Sequence, residues 1–236
     1  MSQNLLYRLD NSSLAFPPVH HALNDPNGLL AIGGDLSSKR LISAYSQGIF
    51  PWYNEGEPIM WWSPNPRALI FLDSININKT LKKVIKRKQF TVTLNSAFEQ
   101  VLNLCADAPF RIEDTWITEE MKTSYLNLHK SGHAHSIEVW QDEQLIGGLY
   151  GVAIKGYFSG ESMFYKKSNA SKLALVALTK LLKQLDITFI DCQISNPFLT
   201  DMGCREISRS DFIILKETAI NKMIPVDFWH RRIIDL

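Results

Sequence analysis

The sequence predicts an α+β protein, with a small N-terminal domain over residues 1–65 and a larger domain over residues 66–236 built on one mixed sheet. Three observations predict it. Residues 1–65 crowd turn signals and aromatic rings around one short helix pattern and stop at Pro64-Asn65-Pro66. Beyond that point the periodicity runs helix, helix, strand, hairpin, helix, strand. Residues 147–164 (GGLYGVAIKGYFSGESMF) form the hairpin pattern around Lys155-Gly156, and FIDCQ at 189–193 is a short apolar strand fit to join the same sheet.

Each element has its own signal. Turns are marked by Asn24-Asp25-Pro26-Asn27-Gly28 and Gly33-Gly34-Asp35, and Ser37 is an N-cap for a helix over residues 38–47 that Gly48 stops. The following stretch carries Phe50, Trp52, Tyr53, Trp61 and Trp62, enough rings to build a small core and leave a stacking surface. ALIFL (68–72) is a strand, and INKTLKKVIKRKQF contains a helix. Lys79, Lys82, Lys83 and Lys86 fall on one face of it and Leu81, Val84 and Ile85 on the other. Residues 95–104 and 118–130 are amphipathic helices, the second capped by Thr118, with Trp116 on the connection between them. A strand pair turns at Asp142-Glu143, the helix of SNASKLALVALTKLLKQL is capped by Ser168 or Asn169, and ISRSDFIILKET is a short late helix.

Composition narrows the function. At 236 residues the chain can bury a full core, and 45% hydrophobic with 21% charged residues is globular rather than disordered. A net charge of +1 leaves nucleic-acid affinity to a local patch. Lys79, Lys82, Lys83, Lys86, Arg87 and Lys88 supply one, because no acidic residue lies between Asp73 and Glu99. The N-terminus lacks an apolar signal-peptide core, and no apolar run reaches the ~18 residues of a membrane span. Three cysteines without CxxC spacing fit free thiols in a reducing cytoplasm. No HExxH, GxSxG, Walker or Rossmann pattern is present, so neither a metal nor a nucleotide cofactor is expected.

What remains is a polar trio in apolar surroundings. Strand alternation puts Phe189, Asp191 and Gln193 on one face and Ile190, Cys192 and Ile194 on the other, which makes Cys192 a structural thiol. Glu161 closes the hairpin as a second carboxylate. A carboxylate with an amide can hold a protonated amine and take its proton once it attacks an electrophile that is already activated. Four glycines in the hairpin (Gly147, Gly148, Gly151, Gly160) fit a place where another backbone or a ligand comes close. By spacing alone this points towards a small-group transferase that uses an already activated electrophile.

Longer strings identify a relationship. NGLLAIGGDLS, GIFPW, MWWSPNPR, TWIT, GHAHSIEVW, LIGGLYGV, GESMF, NASK, IDCQ and MGCREISRSDF resemble those of bacterial leucyl/phenylalanyl-tRNA–protein transferases over nearly the whole chain. The resemblance implies an acetyltransferase-like (GNAT) second domain, and transfer of Leu or Phe, less readily Met, from aminoacyl-tRNA. The acceptors it implies are proteins with N-terminal Arg or Lys, which are thereby marked for N-degron proteolysis. It implies no cofactor, a cytoplasmic monomer, and Asp191 and Gln193 as the residues that orient and help deprotonate the acceptor amine. Trp52 and Trp116 would lie at the aminoacyl-adenosine pocket, Leu149, Met163 and Phe164 in the apolar cavity, and Glu161 against the acceptor or the adenosine. The basic helix face would touch the tRNA acceptor stem. Two other readings stand beside it. One is an acetyl-CoA-dependent acetyltransferase, for which ESMFYKKSNASK lacks the usual pyrophosphate loop. The other is a tRNA-binding module without catalysis.

Overall fold

The computed structural model describes residues 6–107 and 115–236. Four strands and one helix make the N-terminal unit: β1 (Tyr7–Leu9), β2 (Leu29–Gly33), α1 (Ser38–Ser46), β3 (Phe50–Pro51) and β4 (Met60–Trp62). The strands lie in the order β1-β2-β4-β3, so a stretch that reads as loops is a small sheet of very short strands. Its aromatics divide as size and position require. Trp61 is fully buried, with Nε1 donating to the Gly33 carbonyl at 2.8 Å, and Phe50 and Tyr53 are buried, while Trp52 is 41% exposed.

The rest of the chain contributes β5 (Arg67–Phe71), α2 (Lys79–Arg87), β6 (Thr91–Leu94), α3 (Phe98–Ala106), α4 (Glu119–Lys130), β7 (Ala134–Gln141) and β8 (Gln144–Ile154). It continues with β9 (Tyr157–Tyr165), α5 (Ala170–Lys183), β10 (Phe189–Gln193), α6 (Pro197–Asp201), β11 (Cys204–Ile207), α7 (Arg209–Ile220) and β12 (Arg232–Ile233). Side-chain caps set several helix starts: Ser37, Asn78, Thr118 and Ser208 each accept the backbone N–H three residues on. Asn169, expected as a cap for α5, makes no such bond and sits at φ 69°. The start of α5 is fixed by packing instead: a Cβ on Gly147 would stand 2.5 Å from that of Ala170.

Eight strands form one mixed sheet in the order β11-β5-β10-β9-β8-β7-β6-β12. Every neighbouring pair is antiparallel except β9 and β10, which α5 joins as a crossover. Asp142 and Glu143, then Lys155, adopt positive φ at the two tight turns expected there. One face of the sheet packs on α1, α3, α4 and α7, and the other on α2 and α5. The first of these cores runs without a break into the N-terminal unit, joining Tyr45 and Trp61 to Tyr125 and Tyr150. β6, β11 and β12 lie outside the elements read from periodicity, because strands of two to four residues carry too little pattern.

Two irregularities redirect side chains in the central strands. In β8–β9, Tyr150 pairs with Ser162 and Gly151 with Gly160, so Glu161 is the extra residue of a bulge. In β5–β10, Leu69 pairs with Asp191 and Ala68 with Gln193, so Cys192 is the extra residue and Gln193 sits at φ 59°. The expected alternation of 189, 191 and 193 therefore ends at Asp191, and the bulge turns Gln193 onto a different course. Backbone pairing between β9 and β10 is registered only at Ser159–Asp191, and the strands part beyond it.

Candidate functional site

A cavity of about 570 Å³ occupies that parting. Phe50, Pro51 and Trp52 form its N-terminal wall and Trp116 a second aromatic side. Leu149 and Met163, registered opposite each other on β8 and β9, join Leu175, Leu178, Ile190 and Phe198 as the apolar lining. Glu161 and Gln193 bring polar atoms to it from the two bulges. This is the usual form of a small-molecule site, apolar walls with a few convergent polar groups. Trp52 is held by its neighbour: the Trp62 Nε1 donates to the Trp52 carbonyl at 2.7 Å and the two rings lie 5.7 Å apart.

Glu161 is the chemically distinctive group. Its Oε2 accepts from the Tyr125 hydroxyl at 3.0 Å, and its Oε1 from Ser159 Oγ at 3.1 Å and Gln193 Nε2 at 3.3 Å. Burial pushes its pKa up to about 7, against the pull of the Tyr45, Tyr125 and Ser159 hydroxyls, and the Asp191 charge adds to the rise. Gln193 directs Nε2 to Ser159 Oγ (2.8 Å), the Gly160 carbonyl (2.9 Å) and Glu161, which fixes its amide and leaves Oε1 as an acceptor for a ligand.

Asp191 lies behind this pair, fully buried and outside the cavity lining. Arg67 holds it in a two-pronged grip, Nε to Oδ1 at 2.8 Å and Nη2 to Oδ2 at 2.7 Å. The Tyr157 hydroxyl donates to Oδ2, and the Gln193 backbone N–H to Oδ1 at 3.0 Å. Four donors fill the carboxylate's acceptor positions. Arg67 in turn donates to the Gly48 carbonyl at 3.1 Å and lies between the rings of Phe50 (5.0 Å) and Phe212 (4.4 Å). Burial works against the Arg67 charge, but Asp191 and Tyr157 together more than offset it and its pKa is raised.

The structure thus brings Trp52, Trp116, Leu149, Glu161, Met163 and Gln193 to one cavity and places Asp191 beneath it. Phe164, expected in the same lining, is elsewhere. Neighbours on a strand point to opposite faces, so with Met163 at the cavity Phe164 is buried in the core on the other side of the sheet. Cys192 does line the cavity, and a hydrogen bond with Cys204, followed by burial, pushes its thiol pKa well up, so it is no thiolate nucleophile. Lys79, Lys82, Lys83, Lys86 and Arg87 on α2, and Lys88 just after it, are all exposed and outside the cavity lining, and among the described residues none of them makes an ion pair. Among the described residues no group of His, Cys, Asp or Glu is placed to hold a metal, and no helix is long and apolar enough to cross a membrane.

Arg67, Tyr157, Ser159, Tyr125 and Tyr45 are absent from the residues singled out in the sequence. A signal existed for part of the set: Tyr157, Ser159 and Glu161 recur at every second position of an otherwise apolar strand. Tyr45 and Tyr125 carried none, since a tyrosine on the buried side of an amphipathic helix reads as core.

Family models and sequence relatives agree on one family. The family model for leucyl/phenylalanyl-tRNA protein transferase matches residues 69–217, and the model for that family's N-terminal domain matches residues 34–65. A leucyl/phenylalanyl-tRNA–protein transferase from Colwellia psychrerythraea is 59% identical over 233 residues, covering 97% of each chain. One from Hydrogenovibrio crunogenus is 52% identical over 219 residues, 92% of this chain and 86% of that one. Among solved structures, a GCN5-related N-acetyltransferase from Kribbella flavida overlaps at a TM-score of 0.37 and 8% identity, covering 70% of this chain and 59% of its own.

Proposed function

The chain belongs to the leucyl/phenylalanyl-tRNA–protein transferase family, and from that premise we propose that it moves Leu or Phe, less readily Met, from aminoacyl-tRNA to proteins beginning with Arg or Lys. The product is a new N-terminal residue that marks the acceptor for N-degron proteolysis. Such an enzyme works in the cytoplasm, as a monomer, and the charged tRNA is its activated donor. The observation that carries this is the pairing of Glu161 and Gln193 at the wall of an apolar cavity rimmed by Trp52 and Trp116. A leucyl or phenylalanyl side chain fits the Leu149–Met163 side, and the terminal adenosine stacks at the tryptophans. Apolar pockets separate side chains by only ~1–3 kcal/mol per methylene, so tolerance of Met follows.

The reaction needs one proton moved twice. The acceptor's neutral α-amine attacks the ester carbonyl carbon, the N–C bond forms, and Glu161 takes the amine proton. The bond from that carbon to the tRNA 3′-oxygen then breaks, and Glu161 returns the proton to the oxygen. A carboxyl with a pKa of about 7 is suited to both steps near neutrality. Gln193 Oε1 orients the amine by accepting its second N–H. Asp191, with its acceptor positions filled, works through Gln193: its bond to the Gln193 N–H maintains the bulge that aims the amide. It is a positioning residue.

The function is tested by offering labelled Leu-tRNA with two peptides, one beginning with Arg and one with Met. Label on the Arg peptide alone is expected. Transfer to both would overturn the acceptor specificity, and transfer from labelled acetyl-CoA instead would overturn the donor.

The basic face of α2 supplies the tRNA contact, by charge rather than base reading. Changing Lys82, Lys83 and Lys86 together to alanine is expected to raise KM for Leu-tRNA and leave kcat nearly unchanged. The salt dependence should flatten by about one unit per lysine that meets a phosphate. An unchanged KM and salt slope would remove α2 from the interface.

A further inference from the structure

Glu161 is held from below by two phenols in series. Tyr125 of α4 donates its hydroxyl proton to Glu161 Oε2 at 3.0 Å, and the hydroxyls of Tyr45 and Tyr125 lie 2.5 Å apart. A phenol has one proton to give, so with Tyr125's engaged at Glu161 the bond between the two tyrosines runs from Tyr45 to Tyr125. Both rings are wholly buried, and Tyr45, on α1 of the N-terminal unit, has no part in the cavity lining. Burial, reinforced by the Glu161 charge, raises both phenol pKa values well above the ordinary value, so both stay protonated donors. Serial donors in a low-dielectric interior strengthen one another, and their combined pull falls on one carboxylate oxygen.

We infer that Tyr45 and Tyr125 form a relay that positions Glu161, so that a helix of the N-terminal unit with no atom in the cavity governs the carboxylate that handles the proton. The inference rests on the reading of Glu161 as proton acceptor. The other groups facing Glu161 do not duplicate the relay. Ser159 of β9 and Gln193 of β10 donate to the opposite oxygen, Oε1. Asp191 of β10 acts only by charge and in the opposite sense, while Arg67 of β5 is engaged with Asp191. Tyr150 of β8 meets Tyr125 ring edge to face, at 5.6 Å between centroids. The arrangement also gives the N-terminal unit a chemical role beyond supplying Trp52 to the cavity.

The test is to titrate Glu161 in the full-length protein by carbon-13 NMR of carboxyl-labelled glutamate, with the resonance assigned by its loss in Glu161→Gln. Removing a donor from the ionised form raises a carboxyl pKa. Tyr125→Phe is expected to move the midpoint upward by about one pH unit, and Tyr45→Phe to move it in the same direction. The low-pH limb of kcat/KM should move in parallel. A folded Tyr45→Phe protein with an unmoved midpoint overturns the relay, even where its thermal stability has dropped. A midpoint that moves while the kcat/KM limb stays fixed upholds the relay and removes Glu161 from the proton transfer. A limb that disappears in Glu161→Gln but is unmoved by both tyrosine changes does the reverse.

Discussion

Arg67→Ala is expected to destabilise the fold by ~3–5 kcal/mol, the range for removing one partner of a buried ion pair. The reason lies in what stays behind. Asp191 is fully buried and would keep only Tyr157 and the Gln193 N–H as donors, an uncompensated charge in the middle of the sheet. The same change empties the space between Phe50 and Phe212 and frees the Gly48 carbonyl, loosening the N-terminal wall of the cavity. Coulomb attraction is not the whole matter. Arg67→Lys keeps the charge but cannot make two parallel bonds to one carboxylate, so it should recover only part of the loss. The double change Arg67→Met with Asp191→Asn should cost less than Arg67→Ala alone, because no bare charge remains. Urea unfolding checks this: a lower midpoint at constant slope is expected for Arg67→Ala. A loss below about 1 kcal/mol would mean the pair is stabilised far less by its partners than its burial requires.

Glu161→Gln is expected to lower kcat/KM by ~10²–10⁴-fold, what positioned acid–base help provides. The pH dependence identifies the cause. Because burial raises the Glu161 pKa from 4.5 to about 7 and the ionised form takes the proton, wild-type activity is present above about 7 and is lost as pH falls through it. The acceptor α-amine, with an ordinary value near ~7.7–8.0, adds a second limb of the same sign. Glu161→Gln should keep the amine limb and lose the carboxyl one. Stability has its own sign. A carboxyl whose pKa is higher in the folded state contributes stability that is full below 4.5 and lost as pH rises through about 7. Thermal midpoints of the wild type should therefore fall over that window relative to the variant's. Unchanged kcat/KM in a folded Glu161→Gln protein would remove it from the chemistry.

Much of the fold was legible because long elements carry their own pattern. The caps at Ser37 and Thr118, the turns at 142–143 and 155–156 and the apolar run of α5 each follow from local chemistry. The small N-terminal sheet was not, since strands of two to five residues leave no period to read. The site was half legible for a different reason. Asp191, Gln193 and Glu161 stand out as polar residues in apolar strands, but alternation assumes an unbroken ladder. Two bulges break it, at Glu161 and at Cys192, and they decide which side chains reach the cavity. Arg67 lies 124 residues from Asp191 in the chain. No local pattern links them, and only the antiparallel pairing of β5 with β10 does.

The most direct measurement is single-turnover transfer of labelled leucine from Leu-tRNA to a peptide with N-terminal arginine, tracked across neutral pH. Aminoacyl transfer at this cavity predicts label on the peptide α-amine, with a rate that climbs as pH rises through about 7 and a carboxyl limb that vanishes in Glu161→Gln. A folded preparation that binds Leu-tRNA yet leaves every label on the tRNA would contradict it.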